Sequence, residues 1–455
     1  MPHKVLLVTL NWSTLTELPY LFKQAGCEVH IACPKNNALI KTGFYDHWLD
    51  TGDSMESLLS LLINLVKVKD NEYHYILIGD DPILWEIYTR NIIALKALLP
   101  IRNESVLPIL NKVGFAEHCH KQSISSPPFK GINCLLSAKE ALEILGLPIV
   151  IKKNYSNGGL GVSIFKEAQA YNDFMAAYAF DKPLLAQQFI AGELIGVDAL
   201  FKNGKLLQYA CSVDTDPTLG PSTKRRYFQD DGRIGAILRQ TGESALLHGF
   251  ANVSLIQETI SQHYYLIEAD PRPTKWVAYA RWFGCDFIQP IKYFLADSTD
   301  KNDYVMPTLD STGIDCWEVE FFPTHATKLF NQGRTDEAIR HLVDYKRNTR
   351  YTLYDPILLE AKMDSVKQSM VFESSSQSLI HNPQENKKMT IIKIDDKDYD
   401  TETLSDEAKA QLQNVQFVDQ ELAKLNAQAA VMQTARIAYA KALNDALGAE
   451  LVFNS

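Results

Sequence analysis

Glu268-Ala269-Asp270-Pro271-Arg272 follows directly on the run Tyr264-Tyr265-Leu266-Ile267. The run reads as a β-strand that ends in two carboxylates and a guanidinium. Residues two apart on a strand share one face, so Glu268 and Asp270 project to the same side. Two hard oxygen donors beside an arginine suit Mg2+ and a polyphosphate, the carboxylates holding the cation and the guanidinium offsetting phosphate charge. A solvated strand end would look similar, so the reading depends on what precedes it.

Upstream, Leu147-Pro148-Ile149-Val150-Ile151-Lys152-Lys153 reads as a buried strand closing on two lysines. Asn154-Tyr155-Ser156-Asn157-Gly158-Gly159-Leu160-Gly161 forms a glycine-rich turn into a second apolar run, Val162-Ser163-Ile164-Phe165. Glycines let backbone N–H groups close around an anion. No Gly-Lys-Ser/Thr follows the turn, and a strand rather than a helix comes next, which argues against a P-loop. A third strand, Leu184-Leu185-Ala186-Gln187-Gln188, runs through Phe189-Ile190-Ala191-Gly192-Glu193 into another that contains Val197-Asp198.

In this order and at these separations the elements resemble the ATP-grasp superfamily, over roughly residues 100–300. Its pattern is a lysine-bearing strand with a glycine loop, a hinge reading Gln-Glu-Phe-Ile-x-Gly, and a Glu-x-Asn-Pro-Arg metal strand. Asn111-Lys112-Val113-Gly114-Phe115 resembles the segment carrying the first nucleotide-binding lysine. The resemblance implies ATP and Mg2+ as cofactors, with Mn2+ as an alternative. Lys112 and Lys152 would contact phosphates, and Gly158, Gly159 and Gly161 would form a lid. Gln187, Gln188, Phe189 and Ile190 would receive the adenine, Glu258, Glu268 and Asp270 would hold the metal, and Arg272 would face the transferring phosphate.

This chain departs from the pattern in three places. Gln188 stands where glutamate is usual, and Asp270 where asparagine is. Leu194 stands at the ribose position, for which Glu193 is a substitute one residue away. Gln257 and Glu258 compete as the first metal ligand, and Glu258 is preferred because a short hairpin would bring it toward Glu268. The implied activity is ADP-forming ligation of a carboxylate to an amine through an acyl phosphate, with Lys152 and Arg272 catalytic. An ATP-binding scaffold and a phosphotransferase on the same fold are the alternatives.

The chain has 455 residues, 46% hydrophobic, enough for several cores. A net charge of -10 argues against nonspecific nucleic-acid binding. Seven cysteines without a CxxC pair imply a reducing compartment and no structural zinc. No run approaches the ~18 apolar residues of a membrane span, so a cytoplasmic protein with no membrane partner is expected.

The fold class expected is α/β and α+β. Lys4–Leu10, a helix over Leu15–Ala25, Glu28–Cys33, a helix over Met55–Val68 and Tyr75–Ile78 alternate as in a small parallel-sheet domain. Asp80 and Asp81 end the last strand, where ligands of open sheets bind and where a plain turn would look the same. The domains are then 1–100 (the small α/β domain), 101–300 (a two-lobed core) and 301–372 (an extension). In the extension, Trp317–Phe322 reads as a strand and Thr335–Tyr345 as a helix. A polar linker (373–388) precedes a module of hairpin and long helix (389–455). In that module Val415, Val418, Leu422, Leu425, Ala429 and Met432 make a coiled-coil-like stripe. It resembles small stand-alone bacterial proteins of unknown function, and it suits self-association or partner docking.

Lys224-Arg225-Arg226 is expected on a loop, with Arg225 and Arg226 as a clamp for an anionic substrate. Glu117-His118-Cys119-His120 has the look of metal ligands, but i and i+2 diverge on a helix. Trp276, Tyr279 and Trp282 read as packing.

Overall fold

The computed structural model describes residues 2–67, 73–156, 159, 161–215, 224–296, 304–307, 318–320, 329, 334, 337, 391–394 and 397–400. The chain divides into two compact units, Met1–Ser376 and Gln377–Ser455. In the first, β1 (Lys4–Val8) leads through α1 (Trp12–Leu15) and α2 (Leu18–Gln24) to β2 (Glu28–Cys33). The helix expected over Leu15–Ala25 is the shorter α2, because Thr16 takes a positive φ of 28° and Pro19 stands in the first turn. Gly26, at φ 87°, turns the chain out of α2 into β2. β3 (His47–Asp50), α3 (Met55–Lys67), β4 (Tyr75–Ile78) and α4 (Asp81–Thr89) follow. The four strands form a parallel sheet in the order β3-β2-β1-β4, with Val5, Leu6, Leu7 and Val8 of the central strand fully buried. α4 therefore starts at the carboxyl end of β4, the ligand-facing edge of such a sheet.

α5 (Lys112–Lys121) then leads into a second sheet. Its elements are β5 (Phe129–Ile132), α6 (Leu135–Leu145), β6 (Ile149–Lys153), β7 (Val162–Phe165), α7 (Ala168–Ala177) and β8 (Leu184–Gln188). The order is β5-β8-β6-β7, antiparallel throughout. Ile132, Ala141, Ile149, Ile151, Tyr171 and Leu184 give this lobe a core of its own.

The largest sheet comprises β9 (Gly192–Lys202), β10 (Lys205–Asp214), β11 (Lys224–Phe228), β12 (Gly249–Glu258), β13 (Tyr264–Asp270) and β14 (Glu318–Glu320). α8 (Arg233–Ala245) precedes β12, and α9 (Ile288–Leu295) follows β13. The order is β13-β12-β9-β10-β11-β14. Lys224-Arg225-Arg226, expected on a loop, opens strand β11, because it alternates inward and outward across from β10. Two shared cores tie this sheet to the parallel one. One joins Val5, Leu7 and Phe22 to Leu200, Phe250 and Trp276, and the other joins Leu6, Ile83 and Leu99 to Val197, Val253 and Leu266.

In the second unit, β15 (Ile391–Ile394) pairs antiparallel with β16 (Lys397–Asp400). The long helix, its stripe, the linker at 373–388 and the helix expected over Thr335–Tyr345 lie outside the described residues, apart from position 337.

Candidate active site

β13 carries Glu268 and Asp270 on one face, and four other segments converge on that face. Asn111 caps α5 by accepting from Gly114 N at 2.9 Å, which fixes the direction of Lys112. Lys112 Nζ reaches Glu268 Oε2 at 2.8 Å. The Asn154 side chain accepts from Val113 N at 2.9 Å, and its carbonyl accepts from Lys112 N at 3.2 Å, so the end of β6 is tied to the start of α5. Lys152 is buried on β6 within electrostatic range of Lys112, Glu268 and Asp270. Asp81, Trp85, Asn111, Lys112, Glu268 and Asp270 line one small cleft.

The electrostatics are those of a desolvated cluster. Burial depresses the Lys152 ammonium to about 8, with Lys112 adding to the effect and Glu268 and Asp270 opposing it. Burial acts the same way on Lys112, but Glu268 and Asp270 outweigh it and hold that lysine above its ordinary value. Burial alone would raise the Glu268 carboxyl, whereas Lys112 and Lys152 pull it well below the carboxylate range. Asp270 goes the other way. Burial, with Asp81 and Glu268 beside it, pushes its carboxyl up despite Arg272.

Arg272 is almost wholly enclosed. Its Nε donates to Asp81 Oδ2 at 2.7 Å, NH2 lies 2.7 Å from the same oxygen, and NH2 donates to Asp270 Oδ2 at 3.1 Å. Asp80 plays a structural part: its carboxylate accepts from Leu10 N at 2.6 Å and from Thr9 Oγ1 at 2.8 Å, holding the loop after β1.

The β12–β13 register corrects the expected metal set. Ser254 lies opposite Glu268, and Asn252 lies opposite Asp270. Glu258 sits four residues beyond Ser254 at the hairpin end, where its Oε2 accepts from Ser261 N at 2.7 Å. At about 3.3 Å per residue, that is too far to share an ion with Asp270. Gln257 is likewise remote from the pair, opposite Tyr264. Ser254 Oγ, 3.4 Å from Glu268 Oε1, is the oxygen that faces the pair. Among the described residues no group of three or more His, Cys, Asp or Glu could hold a metal. Two carboxylates and a hydroxyl still fit Mg2+, which characteristically takes one or two protein carboxylates and completes its shell with phosphates and water.

The remaining candidates separate by face. Gln187 is buried on β8, Gln188 is exposed, and Phe189 and Ile190 are half-buried at the turn into β9. Gly159 has φ 76°, and Gly161 leaves no room for a Cβ beside the Ser156 hydroxyl; Gly158 lies outside the described residues. Glu193 is paired with Gln257 in the register, which turns it to the face opposite Glu268. There it lies 3.7 Å from Arg226, both side chains more than half exposed, in a cleft of about 560 Å³. That alternation sets Glu193, expected at the ribose, and Arg226, expected at a substrate, on the face away from Glu268. Arg225 faces the Glu268 side, 3.9 Å from the buried Asp198 and stacked 5.0 Å from the Trp276 ring. On α5, His118 is buried against Ser244 Oγ at 2.9 Å while His120 is exposed, so the two diverge.

Asp81, Ser254 and Asp198 were not singled out as site residues from the sequence. Counting back along the hairpin from Glu268 would have reached Ser254 only if the turn length were known. Asp81 carried a signal, the carboxyl end of a parallel strand, that a turn shares.

No family model matches the chain. It is 28% identical over 176 residues to the carbamoyl phosphate synthase large chain of Clostridium botulinum (strain Alaska E43 / Type E3), a match covering 36% of this chain and 16% of that protein. This chain thus spans only a small part of that relative's length. Among solved structures, it is similar to carboxyaminoimidazole ribonucleotide synthase from Aspergillus clavatus complexed with ATP. The TM-score is 0.52 at 13% identity, over 68% of this chain and 79% of that one. It is also similar to the biotin carboxylase domain of Hydrogenobacter thermophilus 2-oxoglutarate carboxylase, determined with MgADP, ADP and bicarbonate. There the TM-score is 0.54 at 14% identity, over 66% of this chain and 71% of that one.

Proposed function

From the ATP-grasp fold that this chain adopts, we propose that it is an ADP-forming ligase joining a carboxylate to an amine, with MgATP bound between the β5–β8 lobe and the six-stranded sheet. The observation that carries this reading is the convergence of Lys112, Lys152, Glu268, Asp270 and Arg272 in one buried charged cluster, from α5, β6 and the end of β13. Phosphoryl transfer asks a protein mainly for positioning and charge, and this cluster supplies both in a desolvated place.

Glu268 and Asp270 would hold Mg2+, which would neutralise charge on the transferring phosphoryl group. Lys112 would release Glu268 and take a phosphate oxygen, the exchange being one anion for another on the same ammonium. Lys152 and the amides around Gly159 and Gly161 would bind the remaining oxygens, and Gln187 to Ile190 would border the adenine. The substrate carboxylate oxygen would attack the γ-phosphorus as the bond to the β-phosphate oxygen breaks, giving an acyl phosphate and ADP. The amine nitrogen would then form the new bond to the acyl carbon as phosphate leaves, losing a proton to solvent.

Residues 1–100, 101–300 and 301–372 would be, in order, the leading α/β domain, the catalytic core and its extension. Residues 389–455, beyond the linker at 373–388, would be a self-association or docking module. Among the described residues no helix is long and apolar enough to cross a membrane. The proposed site of action is the cytoplasm, on soluble substrates.

Nucleotide product analysis with pooled carboxylates and amines tests the reading. ADP and free phosphate released together, dependent on one pool, are expected. ADP without free phosphate would point to a phosphotransferase, and bound ATP without turnover in any pool to a scaffold.

A further inference from the structure

We propose that the cleft on the back of the six-stranded sheet, with Glu193 and Arg226 at its mouth, binds an α-amino acid with a large apolar side chain. The cleft measures about 560 Å³, within the roughly 300–1,000 Å³ that small-molecule sites occupy. It lies on the face away from Glu268, so it is no part of the phosphoryl-transfer cluster.

Register builds the floor. Tyr264, Gln257 and Glu193 stand opposite one another across β13, β12 and β9, and Val213 of β10 stands opposite Arg226 of β11. All five line the cleft. Val213 is 3% and Tyr264 7% exposed, so the bottom is apolar and continuous with the core that packs Ile234 and Leu238 of α8. Phe228, two residues beyond Arg226 on the same face, adds a second ring at the side. The chain then leaves β11 for α8, where Arg233 sets its guanidinium 4.7 Å from the centre of the Tyr264 ring. Gln229 and Asp231 of that connection form the far wall.

The two ion pairs at the rim differ in how they are engaged. Arg233 Nε donates to Asp231 Oδ2 at 2.8 Å, and its NH1 donates to Gln262 O at 2.9 Å. That pair holds the wall. Glu193 and Arg226 stand 3.7 Å apart, beyond hydrogen-bond range, with side chains 54% and 58% exposed. An exposed pair of this kind contributes little, so it opens at little cost. Their strands are about 10 Å apart with β10 between them, so the opposite charges meet above the apolar floor at Val213. A lone anion taken by Arg226 would leave Glu193 unpaired, and a lone cation on Glu193 would strand Arg226. An α-amino acid carries an ammonium and a carboxylate on one carbon and answers both: the planar guanidinium fork matches the carboxylate, and the ammonium donates charge-assisted hydrogen bonds to Glu193. Its side chain then covers Val213, Phe228 and Tyr264. A charged side chain would be desolvated there without a partner, which selects for apolar ones.

The experiment is saturation-transfer NMR on the full chain without nucleotide, using L-leucine, L-methionine, L-phenylalanine and L-tryptophan, followed by calorimetric titration of whichever binds best. Arg226→Gln and Glu193→Gln each remove one charge from an exposed position, so both variants should fold. Binding of at least one amino acid is expected in the wild type. Affinity should fall about tenfold or more in each variant, as for a lost charge-assisted hydrogen bond, and glycine should bind at least about tenfold more weakly than the best ligand. Phenethylamine, which lacks the carboxylate, should bind wild type and Arg226→Gln alike. Glu268→Ala should bind the amino acid as wild type does, which separates this cleft from any amino acid taken as a substrate on the other face. No binding in the wild type, binding that survives either rim variant, or binding lost in Glu268→Ala would overturn the site. The ligase reading is judged by ADP and phosphate release, so either can fail alone.

Discussion

Arg272 places both Nε and NH2 on a single oxygen, Asp81 Oδ2, each at 2.7 Å. The pair joins the end of β13 to the first residue of α4, and so fastens the parallel-sheet domain to the acidic strand. Asp81 is 3% exposed and Arg272 11%. Breaking a buried pair leaves one charge uncompensated, at a cost of about 3–5 kcal/mol. Asp81→Ala is therefore expected to lower unfolding stability by that order, read from urea denaturation. Asp81→Asn keeps an acceptor oxygen and much of the packing but removes the charge that orients the guanidinium. It should lower kcat for ADP release more than it raises KM for MgATP; a variant changed only in stability would give Asp81 no part in positioning Arg272.

Lys152 gives the site a pH signature. Its folded pKa, about 8, lies below the ordinary 10.5. Between those values the unfolded chain binds more protons than the folded one, so stability rises with pH there. Below about pH 8 the cost of burying the ammonium is present in full, about 3 kcal/mol by linkage. Lys152→Met should thus be stabilised relative to wild type near pH 7.5, with the gain shrinking toward pH 10.5. Urea midpoints of the two proteins across that range check the sign. On the proposed reading Lys152 binds phosphate and must be charged to do so, and kcat/KM for ATP should then also fall as pH rises through about 8.

The parts of this fold legible in the sequence were those whose local pattern has one physical solution. Val5 to Val8 can only be a buried strand, and Glu268 and Asp270 share a face wherever that strand goes. What local pattern could not supply was register. Glu258 and Ser254 are both polar residues on β12, and only the turn length decides which of them meets Glu268. Arg225 and Arg226 are chemically identical neighbours on opposite faces, a difference set by pairing with β10 rather than by either residue. The Asp81–Arg272 pair spans 191 positions, beyond any periodicity.

The corrected register separates two glutamates on one hairpin. Glu268→Ala removes a carboxylate from the cluster and leaves Lys112 without its partner. Turnover of ATP should fall on the order of a hundredfold or more, since even outer partners of metal ligands cost 10–100-fold. Glu258→Ala removes only an exposed acceptor for Ser261 N, and turnover should stay within about twofold, as surface substitutions usually do. Steady-state ADP release from both variants decides it. A comparable loss from Glu258→Ala would restore that residue to the site and contradict the observed pairing.

Ser254 offers the complementary gain. Its Oγ is 3.4 Å from Glu268 Oε1, so Ser254→Glu would set a third carboxylate directly across from the first. Without a cation, two like charges on facing strands repel, and the variant should be less stable than wild type. With a divalent cation the added oxygen ligands outweigh that repulsion, because affinity at such sites rises with ligand charge. Mn2+ bound in the presence of β,γ-imido-ATP, followed by electron paramagnetic resonance, should be held about tenfold more tightly in Ser254→Glu. Unfolding curves with and without Mn2+ should cross accordingly. Unchanged Mn2+ affinity in a folded variant would mean that the ion does not sit between β12 and β13, and would remove Glu268 as its ligand.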